Sequence, residues 1–201
     1  AGISLFLLDR EAEGVTVTHT RMADSRNAAN ISFANVHIDA DAVIGEVDKG
    51  ADVLDPALDI ARIGIAAEML GSTQECFERT IAYLKEREQF GVPIGSFQAL
   101  KHRAADMFCE VELSKSCVLE ALSALDEGRA ADEIAKIASL TKAKVGETFN
   151  LVSREGIQMH GGIGMTDEFD IGFFIKRAAV TEQTLGDVNF HRNRYGELEG
   201  Y

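Results

Sequence analysis

The segment Arg87–Gln98 combines residue types that could bind a phosphate group and an aromatic ring. Arginine presents a planar fork of N–H donors that matches phosphate oxygens. Phe90 and Gln98 could meet an aromatic ring and its hydrogen-bonding edge. The same segment can also form an ordinary turn between two helices, with Gly91 and Pro93 as turn residues and Phe90 filling a core. Taken alone, the segment leaves both interpretations open.

A second candidate site is the glycine-rich segment Gln158–Gly164, QMHGGIG. Glycines allow the backbone to approach a ligand closely, and free backbone N–H groups can bind an anion. A cluster of glycines can equally end a helix without binding anything. His160 lies inside this segment, and it is the one histidine near a ligand motif.

Other kinds of chemistry have little support in the residue pattern. The histidines are His19, His37, His102, His160 and His191, and none is paired with a carboxylate or cysteine at metal-ligand spacing, so we expect no metal site. No spacing brings a nucleophile to a base as in a Ser-His-Asp or Cys-His enzyme.

The two candidate segments follow long helical patterns. Apolar residues recur with a period of about 3.6, which predicts helices over Asp55–Arg87, Ser96–Asp126 and Asp132–His160 and shorter ones over Glu168–Thr184 and Val188–Leu198. Short connections favour antiparallel packing in a bundle. The predicted core stripe of the first helix is Ile65, Met69, Thr73, Phe77, Ile81 and Leu84.

The first 50 residues have the period of two that is typical of strands. We predict antiparallel strands over Ile3–Leu8, Val15–His19 and Ile31–Ile38, with turns at Asp9–Gly14 and Asp24–Asn27. The domain boundaries expected from this change of period are 1–50 and 51–201. Three strands alone would leave sheet edges unpaired, and the sequence opens directly on a strand-like run without a preceding turn. Both features suggest a piece of a longer protein.

Charge and hydropathy limit the partners. The chain has 201 residues and a net charge of −13, which argues against nucleic acid and against an anionic membrane surface. No apolar run approaches the roughly 20 residues needed to cross a bilayer, and no signal peptide is recognisable. We expect a cytoplasmic protein.

Together the two candidate segments resemble the signatures of the acyl-CoA dehydrogenase family. Residues 83–107, YLKEREQFGVPIGSFQALKHRAADM, resemble the first signature, and QMHGGIGMTDEF resembles the second at the expected distance. FLLDREAEGVTV and FANVHIDADAVIG resemble the end of the family's middle β-domain. The resemblance implies a mainly α fold, in which a C-terminal four-helix bundle follows a few antiparallel strands of a truncated β-domain.

The resemblance also implies FAD as the cofactor, bound in an extended form across a subunit interface. Arg87 would contact the pyrophosphate, with Gln89, Phe90 and Gln98 on the adenosine side. Gln158, Gly161 and Gly162 would approach the same FAD from the neighbouring subunit. The implied reaction is α,β-dehydrogenation of an acyl-CoA thioester, in which a carboxylate removes the α-proton and a hydride passes to the flavin.

The carboxylate is missing from both positions where the family places it. The usual glutamate falls on Leu185, followed by Gly186 and Asp187 in place of Gly-Thr, and the alternate position falls on Ala61. Asp187 is the first candidate substitute, ahead of Glu182 and Glu68. Asp187 could instead cap the last helix, and the two glutamates could be ordinary solvated or packing residues.

Three functions therefore remain open. The chain could be an FAD-dependent acyl-CoA dehydrogenase that passes electrons to an electron-transfer flavoprotein, as a homodimer or homotetramer. It could be a base-deficient subunit that completes the flavin site of a heterotetramer with a related subunit, which the resemblance favours. It could also be a helical assembly module without flavin.

Overall fold

A computed structural model describes residues 2–22 and 27–201 of the chain. Contacts between Cα atoms divide it into two compact units, Ala1–Asp55 and Pro56–Tyr201. The first unit contains most of the strands and the second contains most of the helical structure, so each is described by itself.

The first unit holds two separate pairs of antiparallel strands. β1 (Leu5–Phe6) pairs with β4 (Val43–Ile44), and β2 (Val15–Arg21) pairs with β3 (Asn27–Phe33) over a register that runs from Val15 opposite Phe33 to Arg21 opposite Asn27.

Two strand boundaries from the sequence are wrong. The first strand is shorter than Ile3–Leu8, and the third covers Asn27–Phe33 rather than Ile31–Ile38. The chain leaves the extended conformation just after Phe33, since Asn35 has a φ of 53°. Of the turn expected at Asp24–Asn27, residues 24–26 lie outside the described residues and Asn27 begins β3.

The second unit is built from long helices, and the prediction of a mainly α chain with a few antiparallel strands is confirmed. Within the described residues the α-helices are α1 (Ala51–Glu86), α2 (Gln98–Asp126), α3 (Ala131–His160), α4 (Ile171–Gln183) and α5 (Val188–Glu199). α1 begins before the predicted Asp55 because the carbonyl of Gly50 accepts a hydrogen bond from the Leu54 N–H at 2.9 Å.

Small and polar side chains make up much of the buried face of α1. Its buried residues are Asp59, Arg62, Ile63, Ala66, Met69, Thr73, Cys76, Thr80 and Leu84. The predicted Ile65, Phe77 and Ile81 are only partly buried and pack at the edge of the core. The hydroxyl groups of Thr73 and Thr80 are satisfied within the helix, since each donates to the carbonyl four residues earlier.

α1 and α3 pack closely together at Gly156. A Cβ atom added there would lie 3.1 Å from the Thr80 Oγ1 atom and 3.2 Å from the Cys76 Sγ atom. The Cys76 thiol faces the carbonyl of Val152 at 3.8 Å, one turn earlier on α3. Close packing at this glycine therefore brings the C-terminal ends of the two helices together.

Substituting Gly156 tests this close approach. We expect Gly156→Val to lower the free energy of unfolding by about 1–3 kcal/mol, because the added methyl groups overpack the α1–α3 contact. Urea denaturation measures the change. Gly196→Val is the matched control, since a Cβ atom at Gly196 of α5 meets nothing within 4 Å. Equal destabilisation by both substitutions would contradict the account.

Candidate functional site

A short hairpin connects α1 to α2 and carries the first candidate segment. β5 (Glu88–Gln89) pairs with β6 (Val92–Pro93), and the two residues between them have positive φ values, 55° for Phe90 and 78° for Gly91. Two positive φ values are typical of the type I′ turn that closes a two-residue hairpin. The Phe90 side chain is 92% exposed, so the alternative in which it fills a core is wrong.

The second candidate segment follows directly on α3. Gly161 ends the helix with a φ of 65°, and a 3₁₀ turn continues to Met165. Cβ atoms added at Gly161 or Gly162 would meet nothing within 4 Å. This stretch of backbone is therefore open to a ligand, whereas a Cβ atom added at Gly164 would lie 2.7 Å from the carbonyl oxygen of Ile157 on α3.

The two segments line one cleft of about 570 Å³. Of the residues predicted from the sequence, the cleft brings together Arg87, Gln89, Gln158, Gly161 and Gly162. It does not bring in Phe90 or Gln98. The other lining residues are Tyr83, Ile94, Leu100, Met159, His160 and Ile163.

Both walls of the cleft belong to the same chain. The end of α1 with its hairpin forms one wall, and the end of α3 with its glycine turn forms the other. One chain is therefore sufficient to bring Arg87 close to Gly161 and Gly162. That the two segments meet one FAD from neighbouring subunits stays a prediction.

A stacked pair joins the two walls. The rings of Tyr83 and His160 lie 4.2 Å apart between centroids at 24°, and the Tyr83 hydroxyl donates to the carbonyl of His160 at 3.3 Å. Sequence reasoning gave no role to Tyr83, although it lies four residues before Arg87, whose backbone N–H donates to the Tyr83 carbonyl at 2.9 Å as in a helical turn. That spacing was the signal that could have identified it.

The cleft suits a ligand that contains a diphosphate. Within residues 2–22 and 27–201, the guanidinium group of Arg87 makes neither an ion pair nor a hydrogen bond. An uncommitted arginine across from an open glycine turn supplies the fork that phosphate oxygens require, and the turn offers backbone that a ligand can approach closely. The residues therefore fit the FAD that the resemblance implies.

A tight turn between α4 and α5 contains Leu185. Leu185 has a φ of 61° and Gly186 a φ of 107°. A Cβ atom at Gly186 would lie 2.3 Å from the Phe190 ring, so only glycine fits there. The turn is thus held in a conformation that a leucine rarely adopts.

Buried cationic and imidazole side chains hold the carbonyl groups of this turn. The carbonyl of Leu185 accepts from His191 Nε2 at 3.1 Å and from Arg62 Nε at 3.4 Å. Lys142 Nζ donates to the carbonyl groups of Glu182 at 3.1 Å and Gly186 at 3.0 Å. Sequence reasoning gave no role to Arg62, Lys142 or His191, because each contact spans several helices or a turn.

Comparison with known proteins decides the family. The family model described as "Acyl-CoA dehydrogenase, C-terminal domain" matches residues 48–198. The chain belongs to the acyl-CoA dehydrogenase family. It is 32% identical over 195 residues to the mitochondrial short/branched chain specific acyl-CoA dehydrogenase of Rattus norvegicus, an alignment that covers 96% of this chain and 44% of the rat protein.

Two solved structures support the membership. Butyryl-CoA dehydrogenase from Megasphaera elsdenii is 26% identical with a TM-score of 0.89, and the structure named Tcur3481-Tcur3483 steroid ACAD G363A variant is 33% identical with a TM-score of 0.81. Each comparison covers 98% of this chain and 51% of the other. The chain therefore spans about half the length of these acyl-CoA dehydrogenases.

Each of the three carboxylates considered as a base, Asp187, Glu182 and Glu68, has a partner within the chain. Asp187 caps α5, with its Oδ1 atom accepting from the Phe190 N–H at 2.8 Å. Glu182 accepts from Asn150 Nδ2 at 2.5 Å, and Glu68 pairs with Arg177 Nε at 2.7 Å. These contacts favour structural roles for all three carboxylates.

Two kinds of feature are absent from residues 2–22 and 27–201. Neither a group of three or more His, Cys, Asp and Glu residues suited to a metal ion nor a helix of the length and apolarity needed to cross a bilayer occurs among them.

The buried His191 beside the turn at Leu185 should make the stability of the fold depend on pH. Burial, followed by the positive charge of Lys142, lowers the pKa of His191 from 6.5 to about 4. Between these values the unfolded chain binds a proton that the folded chain does not, so stability is lost as pH falls from 6.5 to 4. We expect the free energy of unfolding of the wild type to drop by about 3 kcal/mol more than that of His191→Gln over this range. Urea titrations at several pH values measure it, and parallel curves would contradict the assignment.

Proposed function

We propose that this chain binds FAD in the cleft between α1 and α3 and serves as a subunit of an acyl-CoA dehydrogenase without supplying the usual catalytic carboxylate. FAD, when bound, supplies the acceptor for the hydride that leaves the β-carbon of the thioester. The chain's own contribution is to bind and orient that cofactor. The observation that carries the proposal is the uncommitted Arg87 guanidinium opposite the Gly161–Gly162 turn.

The chemistry of each cleft residue indicates which part of FAD it would bind. Arg87 binds the diphosphate through charge-assisted hydrogen bonds, and the backbone at Gly161 and Gly162 approaches it from the other wall. Gln89 and Gln158 lie on opposite walls as amide groups that can donate and accept. Phe90 and Gln98 lie outside the cleft, and a role for them on the adenosine side would require a ligand that extends beyond it.

The missing base supports a heteromeric assembly. Leu185 stands where the family resemblance expects the carboxylate, and Asp187, Glu182 and Glu68 are engaged elsewhere. A subunit that lacks the catalytic carboxylate still contributes residues to a flavin site. Catalysis then takes place in the active site of a related subunit that carries the carboxylate. An electron-transfer flavoprotein would then reoxidise the flavin.

The solved structure that is 33% identical to this chain indicates which class of substrate to test first. The structure named Tcur3481-Tcur3483 steroid ACAD joins two components in its name, which agrees with a two-subunit assembly. A CoA thioester with a steroid acyl group is therefore the first substrate to test, with butyryl-CoA as the comparison because of the Megasphaera elsdenii enzyme.

Replacing Arg87 tests the cofactor site. We expect Arg87→Gln in the full-length protein to raise the dissociation constant of FAD by at least about tenfold, because a charged donor to the diphosphate is lost. Flavin absorbance near 450 nm after gel filtration measures retention. Arg192→Gln on α5 is the matched control, since this arginine pairs with Glu147 and lies outside the cleft. Equal flavin retention in both variants would contradict the assignment of this cleft as the FAD site.

Installing a carboxylate tests the missing base. We expect the full-length chain purified alone with FAD to oxidise acyl-CoA about 10²–10⁴-fold more slowly than the assembly with its partner, because general base catalysis is absent. Leu185→Glu in the isolated chain should raise that rate, whereas Leu185→Gln, similar in size but without a carboxylate, should not. Turnover of the unmodified isolated chain at the rate of the assembly would exclude base deficiency.

A further inference from the structure

The imidazole ring of His160 is fixed in one orientation at the end of α3. Tyr83 stacks on its face, and the ring of Phe169 lies 5.0 Å away at 51°. The Nδ1 atom of His160 lies 2.6 Å from the carbonyl oxygen of Gly156, one helical turn earlier. Only 3% of His160 is exposed, so the ring has little freedom to turn.

These contacts determine which ring nitrogen holds the proton. A carbonyl oxygen can only accept a hydrogen bond, so Nδ1 carries the hydrogen and Nε2 is left as an acceptor. Burial lowers the pKa of His160, which keeps the ring neutral at physiological pH. The second nitrogen therefore presents a lone pair and no proton.

The Nε2 atom of His160 is the buried side-chain nitrogen or oxygen without a hydrogen-bond partner in the described part of the chain. An unsatisfied buried acceptor is costly and uncommon in folded proteins. His160 also lines the cleft between α1 and α3, so a ligand that enters the cleft is the candidate partner for this nitrogen.

The chemistry of Nε2 restricts which part of a ligand it can bind. Phosphate oxygens at neutral pH are acceptors and would repel the lone pair, whereas ribose hydroxyl groups and the adenine amino group are donors. Resting on the proposed function, we propose that His160 is a specificity-determining residue of the FAD site, whose Nε2 atom accepts a hydrogen bond from the nucleoside part of the cofactor. Arg87 binds the diphosphate, and His160 distinguishes a nucleotide from a bare diphosphate.

The variant His160→Phe keeps a flat ring against Tyr83 and removes the acceptor. In the full-length protein within its natural assembly, stripped of flavin, we expect the dissociation constants of FAD and of ADP to rise about tenfold and that of inorganic pyrophosphate to stay the same. Arg87→Gln should weaken all three. Calorimetric titration measures the constants.

Stability should change in the opposite sense from binding. Without ligand, the melting temperature of His160→Phe should equal or exceed that of the wild type, because the unsatisfied acceptor is gone. His160→Gln places an amide oxygen near the Nε2 position and should recover part of the FAD affinity. His102→Phe changes an exposed histidine of α2 outside the cleft and is the matched control.

Several results would overturn the inference. If His160→Phe binds FAD and ADP as tightly as the wild type, or weakens inorganic pyrophosphate equally, His160 has no selective role even though the FAD site stands. If the wild-type assembly binds no FAD, the proposed function fails together with this inference. Nitrogen-15 spectra of the wild type give an answer even if the variant does not fold: the unprotonated Nε2 signal should move when ADP is added, and an unmoved signal would contradict the proposal.

Discussion

The contact between the ends of α1 and α3 sets the geometry of the candidate site. Gly156 lets the two helices approach closely at Thr80 and Cys76, and the Tyr83–His160 stack joins them one turn further on. Beyond this stack each chain segment turns away, α1 into the hairpin and α3 into the glycine turn. The cleft is the space between these two diverging segments, so its width depends on the helix contact beneath it.

Two parts of the helical unit differ in whether their polar groups have hydrogen-bond partners. Around the turn at Leu185, the buried polar groups are paired: Asp59 accepts from both Arg62 and Arg194, and Lys142 and His191 donate to backbone carbonyls. In the cleft, by contrast, the guanidinium group of Arg87 and the Nε2 atom of His160 lack partners within the described residues. Paired groups stabilise the fold, whereas unpaired groups cost stability and are expected where a ligand binds.

Much of the fold follows from the sequence, because long helices have a strong 3.6-residue period. On α3 the buried residues include Ala138, Thr141, Val145, Phe149 and Val152, which recur at spacings of three and four. The buried face of α1 was predicted less well, since Ala66, Cys76 and Thr80 face the core while the larger Phe77 and Ile81 lie at its edge. Close helix packing selects small side chains there, and a count of apolar residues does not reveal it.

The site was predicted in part for a similar reason. The signatures identified Arg87, Gln89 and the glycine turn, whose residue types are distinctive for phosphate binding. That both walls belong to one chain depends on how α1 and α3 pack, and that Phe90 is exposed depends on a left-handed turn. The roles of Tyr83 and His160 depend on a stacking contact between residues 77 positions apart, which no local pattern records.

The most direct test of the account is an experimental structure of the full-length assembly with FAD bound. The account predicts that the pyrophosphate lies within hydrogen-bonding distance of the Arg87 guanidinium group and against the backbone of Gly161 and Gly162, with all three residues from the same protomer. An FAD molecule bound away from this cleft, or one held by Arg87 from one protomer and the glycine turn from another, would contradict it.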